Sequence, residues 1–230
     1  MSNEIIFTDT IGVQEEYKPK PASMYVPEWY KQMESYISGK KEVLANAQLT
    51  QTIKKCMPVF DSITAGYIIP TFTDVYVRIE NDAPYFSWSS GNAVDFHSLE
   101  QLKEHPNQNG FNAPKWRNPW SIKLPKGYSA LFISPLHNPN GFFEVLPGIV
   151  DCDTYNPPVN FPFLMNDTKF EGLIPAGTPM VQVIPFKRES WNMRLGSAAE
   201  FEEQNRQLLK RTTKFFDAYK NMFRSKKEYN

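Results

Sequence analysis

Residues 120–188 constrain this chain more than any other stretch. Short apolar runs recur about every ten residues there. Between them sit the turn sequences Pro125-Lys126-Gly127, His137-Asn138-Pro139-Asn140-Gly141, Asn156-Pro157-Pro158 and Pro175-Ala176-Gly177. Brief apolar segments punctuated by Pro, Gly and Asn predict strands joined by tight turns, hence a compact mainly β body. Most of the polar chemistry of the stretch falls on the turn at 135–141 and on Asp151-Cys152-Asp153.

With 230 residues, the chain has room for one large domain and appended helices. We divide it into an N-terminal extension (1–55), a β-rich core (56–195) and a C-terminal helix (196–230). Lys and Arg number 25, as do Asp and Glu. No net field therefore draws the chain to nucleic acid or anionic lipid. The aromatic content of 14% and the 19 prolines suit sheets with shaped loops. Cys56 and Cys152 are expected as free thiols in a reducing compartment. MSNEIIFTDT has no apolar signal core, and no run approaches the roughly 20 residues that span a bilayer. The expected setting is cytoplasmic: the host cytoplasm, or the virion if the chain is phage-encoded.

In the extension, Ile5, Ile6 and Phe7 predict a first strand. Pro27 opens a short helix that places Trp29, Met33 and Tyr36 on one face, docked on the body. Residues 39–52 read as helix or ordered loop. Strands follow at residues 66–70, 74–79 and 84–88, with Val75, Val77 and Ile79 alternating against Tyr76 and Arg78. The turn between the last two is Asn81-Asp82. Residues 89–118 form a long polar excursion, a lid or a loop carrying its own short helix at Ser98-Leu99-Glu100-Gln101. Ser197-Ala198-Ala199-Glu200 is a capping box. It opens a long amphipathic helix whose stripe is Phe201, Leu208, Thr212, Phe215, Tyr219 and Met222. Lys220, Arg224, Lys226 and Lys227 end that helix as a solvated basic terminus suited to the dipole. The stripe packs on the sheet or pairs with another subunit, giving a homo-oligomer through this helix.

His97, His105 and His137 are scattered, with no paired-histidine spacing. On a strand, Asp151 and Asp153 project from one face. Two such carboxylates bind a cation, share a proton or accept turn amides. His137 and Glu144 on the preceding hairpin complete a candidate divalent-metal site with Asp151 and Asp153, the two aspartates doubling as candidate catalytic groups. The alternative is that the aspartates cap the turn into Asn156. No nucleophile elbow, paired cysteine or phosphate loop is present. Cys152 between two aspartates has its thiolate disfavoured. Trp88, Trp116, Trp120 and Trp191 border the body, where they line a pocket or plug its ends. Trp120, Asn138, Tyr155, Arg188 and Trp191 are the candidate ligand-binding residues.

Cys56-Met57-Pro58, Ala65-Gly66-Tyr67, Pro135-Leu136-His137-Asn138-Pro139, Pro147-Gly148-Ile149-Val150-Asp151-x-Asp153, Phe161-Pro162-Phe163 and Phe170-Glu171-x4-Ala176-Gly177 resemble an uncharacterised bacterial and phage family, a domain of unknown function. That resemblance covers about residues 56–188 and brings no activity with it; the flanking segments resemble phage-borne variants. A second set, Ala65-Gly66-Tyr67, Pro125-Lys126-Gly127-Tyr128, Gly148-Ile149-Val150-Asp151-x-Asp153-x-Tyr155 and Gly177-x4-Gln182, resembles in order the β-clip fold of trimeric dUTPases and dCTP deaminases. That resemblance implies a water-activating role for Asp151 and base stacking for Tyr155. Pro135-Leu136 stands where that family has its phosphate-gripping Arg-Ser, and no Gly-rich C-terminal arm is present.

The expectation is therefore a β-clip or jelly-roll-like body with a short N-terminal helix and a long C-terminal one. Its first functional reading is a non-catalytic binding or interaction protein, such as a phage accessory or structural component. The alternatives are a small-molecule enzyme with a carboxylate and histidine cation site, and a nucleotide-binding β-clip protein.

Overall fold

The computed structural model describes residues 3–44, 49–107, 110–212 and 216–230. Antiparallel sheets dominate, with 31% of residues in strands and 21% in mostly short helices. The described residues hold β1 (Ile6–Asp9), β2 (Lys20–Pro21), α1 (Glu28–Gln32), α2 (Met57–Ile63), β3 (Tyr67–Pro70), β4 (Val75–Glu80), β5 (Ala83–Trp88), β6 (Val94–His97), α3 (Leu99–Leu102) and β7 (Ala113–Trp116). Then come β8 (Trp120–Lys123), β9 (Tyr128–Ile133), β10 (Phe143–Val145), β11 (Gly148–Val150), β12 (Phe161–Met165), β13 (Gly172–Ile174), β14 (Pro179–Lys187), α4 (Ala198–Thr212) and α5 (Ala218–Met222).

The sheets have the orders β11-β9-β14-β3-β2, β10-β12-β7-β6, β13-β4-β5 and β1-β8. Their inward faces share one core. Trp116 stacks on Phe163 with ring centroids 4.8 Å apart, Phe143 lies 5.0 Å from Trp116, and Phe132 lies 5.4 Å from Phe161. Val75, Val77, Ile174, Val181 and Val183 fill the gaps. Each such side chain contributes about 1.5–3 kcal/mol through its removal from water. Among the described residues no helix is long and apolar enough to cross a membrane.

Where local chemistry dictates shape, the strands and caps stand where the sequence puts them. Asn81 and Asp82 both have positive φ, 51° and 62°, the left-handed pair that a two-residue hairpin between β4 and β5 needs. Ser98 and Gln101 form a capping box on α3. On α4 the Ser197 amide donates to Glu200 Oε2 at 2.8 Å, and the Glu200 amide reaches Ser197 Oγ at 3.4 Å. Pro185 is tolerated in β14 because β3 pairs only as far as Val183, so the missing amide faces no partner on that side.

Four local expectations need correction. The excursion at 89–118 is not a loop around one helix: β6 and β7 join the sheet of β10 and β12. Helix α1 ends at Gln32, because Met33 is extended at ψ 135°, so Met33 and Tyr36 do not continue its face. Tyr30 is the residue it buries, stacked on Phe60 with its hydroxyl donating to the Lys54 carbonyl at 2.9 Å. The C-terminal helix is two helices: α4 ends at Thr212, and Asp217 precedes α5 at φ 57°. Phe215 of the expected stripe lies outside the described residues, as do the side chains of Leu208 and Thr212. Finally, part of the basic terminus is not solvated. Arg224 donates to both oxygens of Asp61 at 2.6–3.2 Å, and Lys227 adds a contact of 3.1 Å. Lys55 pairs with Asp217 at 2.9 Å, and Tyr229 packs edge-on against Tyr67. The last residues are thus strapped onto α2 and β3.

Two tests follow from this packing. Gly66 sits at φ +67°, where an added Cβ falls 1.9 Å from the Val183 carbonyl oxygen. Gly66→Ala should therefore cost more than about 2 kcal/mol in urea unfolding; a loss of a few tenths would show that β3 can move away. Asp61→Asn leaves Arg224 nearly buried with a weakened partner, and should cost on the order of 2–3 kcal/mol. It should also open the tail to trypsin at Arg224, and unchanged cleavage would show that the strap holds without the charge.

Candidate functional site

The candidate residues separate into two groups at opposite ends of β9. At its start, Asp151 and Asp153 lie in the turn after β11 and converge on Arg188, the residue after β14. Arg188 grips Asp153 with both terminal nitrogens, Nη1 to Oδ1 at 2.9 Å and Nη2 to Oδ2 at 2.5 Å. Its Nη1 also donates to the Tyr128 carbonyl and to Ser129 Oγ, each at 3.0 Å, and lies 3.2 Å from Asp151 Oδ1. The Gly127 amide donates to Asp153 Oδ2 at 2.8 Å, and Ser129 Oγ donates to Asp151 Oδ1 at 2.6 Å. A fork of parallel charge-assisted bonds fixes both partners in orientation. The Arg188 fork, aided by the Gly127 amide, holds the Asp153 carboxyl at about 2, below its ordinary 3.8. The pair is a lock between three chain segments. Asp153 has both oxygens engaged, as a turn cap does, while Asp151 is held through Oδ1 and remains exposed.

Cys152 between them is fully buried, and both cysteines are free thiols. Burial, then the charges of Asp151 and Asp153, push the Cys152 thiol up to about 11. A thiol so placed is a poor nucleophile at neutral pH.

At the other end of β9, His137 and Glu144 do come together. With Ser134, Leu136, Asn140 and Asn166 they line an open cleft of about 330 Å³. His137 stands at φ 57° in a turn closed by the Asn138 amide on the Pro135 carbonyl at 3.1 Å. A position that favours Gly or Asn carries an imidazole instead. The Trp29 indole donates to the His137 carbonyl at 2.8 Å, and Asn138 Nδ2 donates to the Tyr25 carbonyl at 3.0 Å. The N-terminal extension therefore braces this turn, and the Asn138 side chain is engaged in that bracing.

The proposed four-residue metal set does not assemble. Ser129, beside Asp151, and Ile133, in the cleft wall, are separated by roughly 13 Å of strand. Among the described residues no group of three or more His, Cys, Asp or Glu side chains is placed to hold a metal ion. Trp120 is also displaced from its expected role. It is 3% exposed and belongs to the core, as does Trp116; both indole nitrogens are buried without a hydrogen-bond partner. Tyr155 is half-exposed beyond the aspartate turn. Trp191 is 86% exposed.

What the sequence reading missed is an apolar cavity of about 400 Å³ between β5, β6 and β12. Pro84, Phe86, Phe96, Leu164 and Met165 are in its wall. The signal lay in alternation: Pro84 and Phe86 stand two apart on β5, and Phe96 answers from β6. No protein-family model matches the chain, and no curated protein is similar to it in sequence.

Asp153 sets a pH test. A carboxyl held at about 2 in the fold and near 3.8 unfolded contributes stability fully above the higher value and loses it as pH falls toward the lower. Asp153→Asn should thus be less stable than the parent at pH 6. The gap should narrow between about pH 4 and pH 2; a gap independent of pH would show that shape, not charge, holds the turn.

Proposed function

We propose that this chain is a non-catalytic interaction protein, an accessory or structural component that engages another protein through the segment at residues 189–212. One observation carries the reading. Every residue from 186 to 199 is exposed, and this stretch includes Trp191 at 86%, Met193 at 89% and Leu195 at 88%. Phe201 on α4 is 61% exposed. Large apolar side chains clustered in water mark a surface that another molecule covers. The chain on either side is fastened to the body, by Arg188 on Asp153 and by Asp217 on Lys55. The segment is thus an arm held out from an ordered base.

The acidic pair gives little support to catalysis. Asp153 is spent on Arg188 and Gly127. Asp151 is held through Oδ1 by Ser129 and Arg188 and lies outside both clefts described above, where a water-activating aspartate needs a free oxygen turned toward a bound substrate. For the body itself we favour a β-clip or jelly-roll-like arrangement. What supports it is the order of the Ala65, Pro125, Gly148 and Gly177 motifs, and their meeting on β3, β9, β11 and β14 of one antiparallel sheet. The alternative of a small-molecule site draws on the His137 and Glu144 cleft alone.

Limited proteolysis tests the arm. At concentrations too low for self-association, trypsin should cut the isolated protein at Arg194 and Arg206 and leave the body intact. In the assembly purified from the organism that makes it, both sites should be protected, and equal cleavage there would refute the reading. At the same low concentration, Trp191→Ser with Leu195→Ser should shift the melting temperature of the monomer by less than about 2 °C, as expected for exposed positions outside the core. A large drop would place these residues in the fold instead.

A further inference from the structure

Resting on that interaction reading, we infer that the arm's partner is a second copy of this chain, with Trp191 seated in the apolar cavity between β5, β6 and β12. The residues from 189 to 196 form no helix or sheet pairing. In an extended chain, Trp191, Met193 and Leu195 fall on one edge at successive spacings of roughly 7 Å, while Asn192 and Arg194 face away. Arg194 is occupied by a forked ion pair with Glu200. The arm therefore offers three exposed apolar side chains at alternate positions, with the one charged residue among them already paired.

The cavity suits such an edge. Its volume of about 400 Å³ falls in the range of pre-formed binding pockets, which are mostly apolar and aromatic in lining. Phe96 at its rim is 42% exposed, so the wall is open to an incoming ring. Aromatic rings meet favourably edge to face, and Phe86 and Phe96 already stand 5.9 Å apart at a tilt of 56°. Trp191 of the same molecule is not seated there, since it is 86% exposed.

Charge and area both point to a copy of itself as the occupant. The chain carries 25 positive and 25 negative side chains, and a net charge near zero lets two copies meet without mutual repulsion. A strongly charged partner would find no complementary field. Covering an aromatic removes about 150–250 Å² from water. Four large apolar side chains on one arm, with the cavity wall opposite, approach the roughly 800 Å² per partner of a stable interface. Reciprocal exchange uses each arm and each cavity once and closes as a two-fold dimer, leaving no arm free to propagate a fibre.

Sedimentation velocity at micromolar concentrations should show a species of twice the 26.6 kDa chain mass. Trp191→Ser with Leu195→Ser should return it to the monomer with an unchanged circular dichroism spectrum. Phe96→Glu should weaken the dimer at least about tenfold. Should that variant misfold, Leu164→Gln in the same wall supplies the second measurement. It too should weaken the dimer at least about tenfold. A wild-type chain that stays monomeric overturns the second copy, while tryptic protection in the native assembly would still uphold the arm as an interaction surface. A dimer lost in the arm variant, but kept in Phe96→Glu and in Leu164→Gln, overturns the cavity and leaves the arm. A dimer indifferent to the arm overturns the inference entirely.

Discussion

Strand β14 crosses the five-stranded sheet with a polar side chain at its middle, and much of the body is arranged around that residue. Gln182 is fully buried. Its Nε2 donates to the Ser62 carbonyl at 2.9 Å and the Ala65 carbonyl at 2.7 Å, and its Oε1 accepts from the Leu136 amide at 2.8 Å. A buried amide without partners costs several kcal/mol, so all three bonds are needed for the residue to be tolerable there. Two carbonyls on one side and an amide on the other also fix which end of the carboxamide is nitrogen. One side chain thus sets the end of α2, the start of β3 and the turn that carries His137. Gly66 completes the junction, since only a residue without a side chain can pass so close to the Val183 carbonyl.

The Arg188 lock fastens the far end of the same strand. Two carboxylates two residues apart invite a cation, and here the cation is a guanidinium from the protein itself. Arginine suits the place better than a metal or a lysine would: its planar fork meets Asp153 along two parallel bonds and still reaches Tyr128 and Ser129. The arrangement ties the β8–β9 turn, the β11 turn and the end of β14 together. It also explains why Cys152 is so well buried. The turn that aims the two aspartates at Arg188 turns the residue between them into the core.

The parts of this fold legible in sequence were those decided within a few residues. The Asn81-Asp82 hairpin, the Ser197–Glu200 capping box and the alternation of Val75 with Val77 are local statements about dihedrals and side-chain direction. What escaped was decided at a distance. Strand β7 contains Pro114, which argues against a strand until β6 is present to pair with it and place that residue. Arg188 meets its aspartates across 35 residues, and Arg224 meets Asp61 across 163; neither spacing leaves a periodic trace. Trp120 reads as a loop tryptophan because Pro119 precedes it, yet pairing of β8 with β1 turns its ring into the core. At the candidate sites, chemical type was legible and spatial grouping was not. His137 with Glu144, and Asp151 with Asp153, were each discernible as pairs. That β9 holds the pairs apart is a fact of topology.

The same two locks give the arm its physical character. A free terminal tail that docks on a partner loses the entropy of the whole segment on binding, and much of the contact energy goes to ordering it. This arm begins at a residue held by a forked ion pair. Beyond residues 213–215 the chain is on the body again at Phe216, whose ring meets Tyr36 edge-on with Lys41 above it. Because both ends are fixed, the arm explores fewer conformations before it meets anything. The closure cost of the loop depends only weakly on its length and has already been met in folding. The capping box and the Arg194–Glu200 pair order the middle further. On the proposed interaction, a partner would supply contact with Trp191, Met193, Leu195 and Phe201 to a segment already fixed at both ends. On the proposed interaction, weakening the Arg188 lock should therefore reduce association through the arm's entropy.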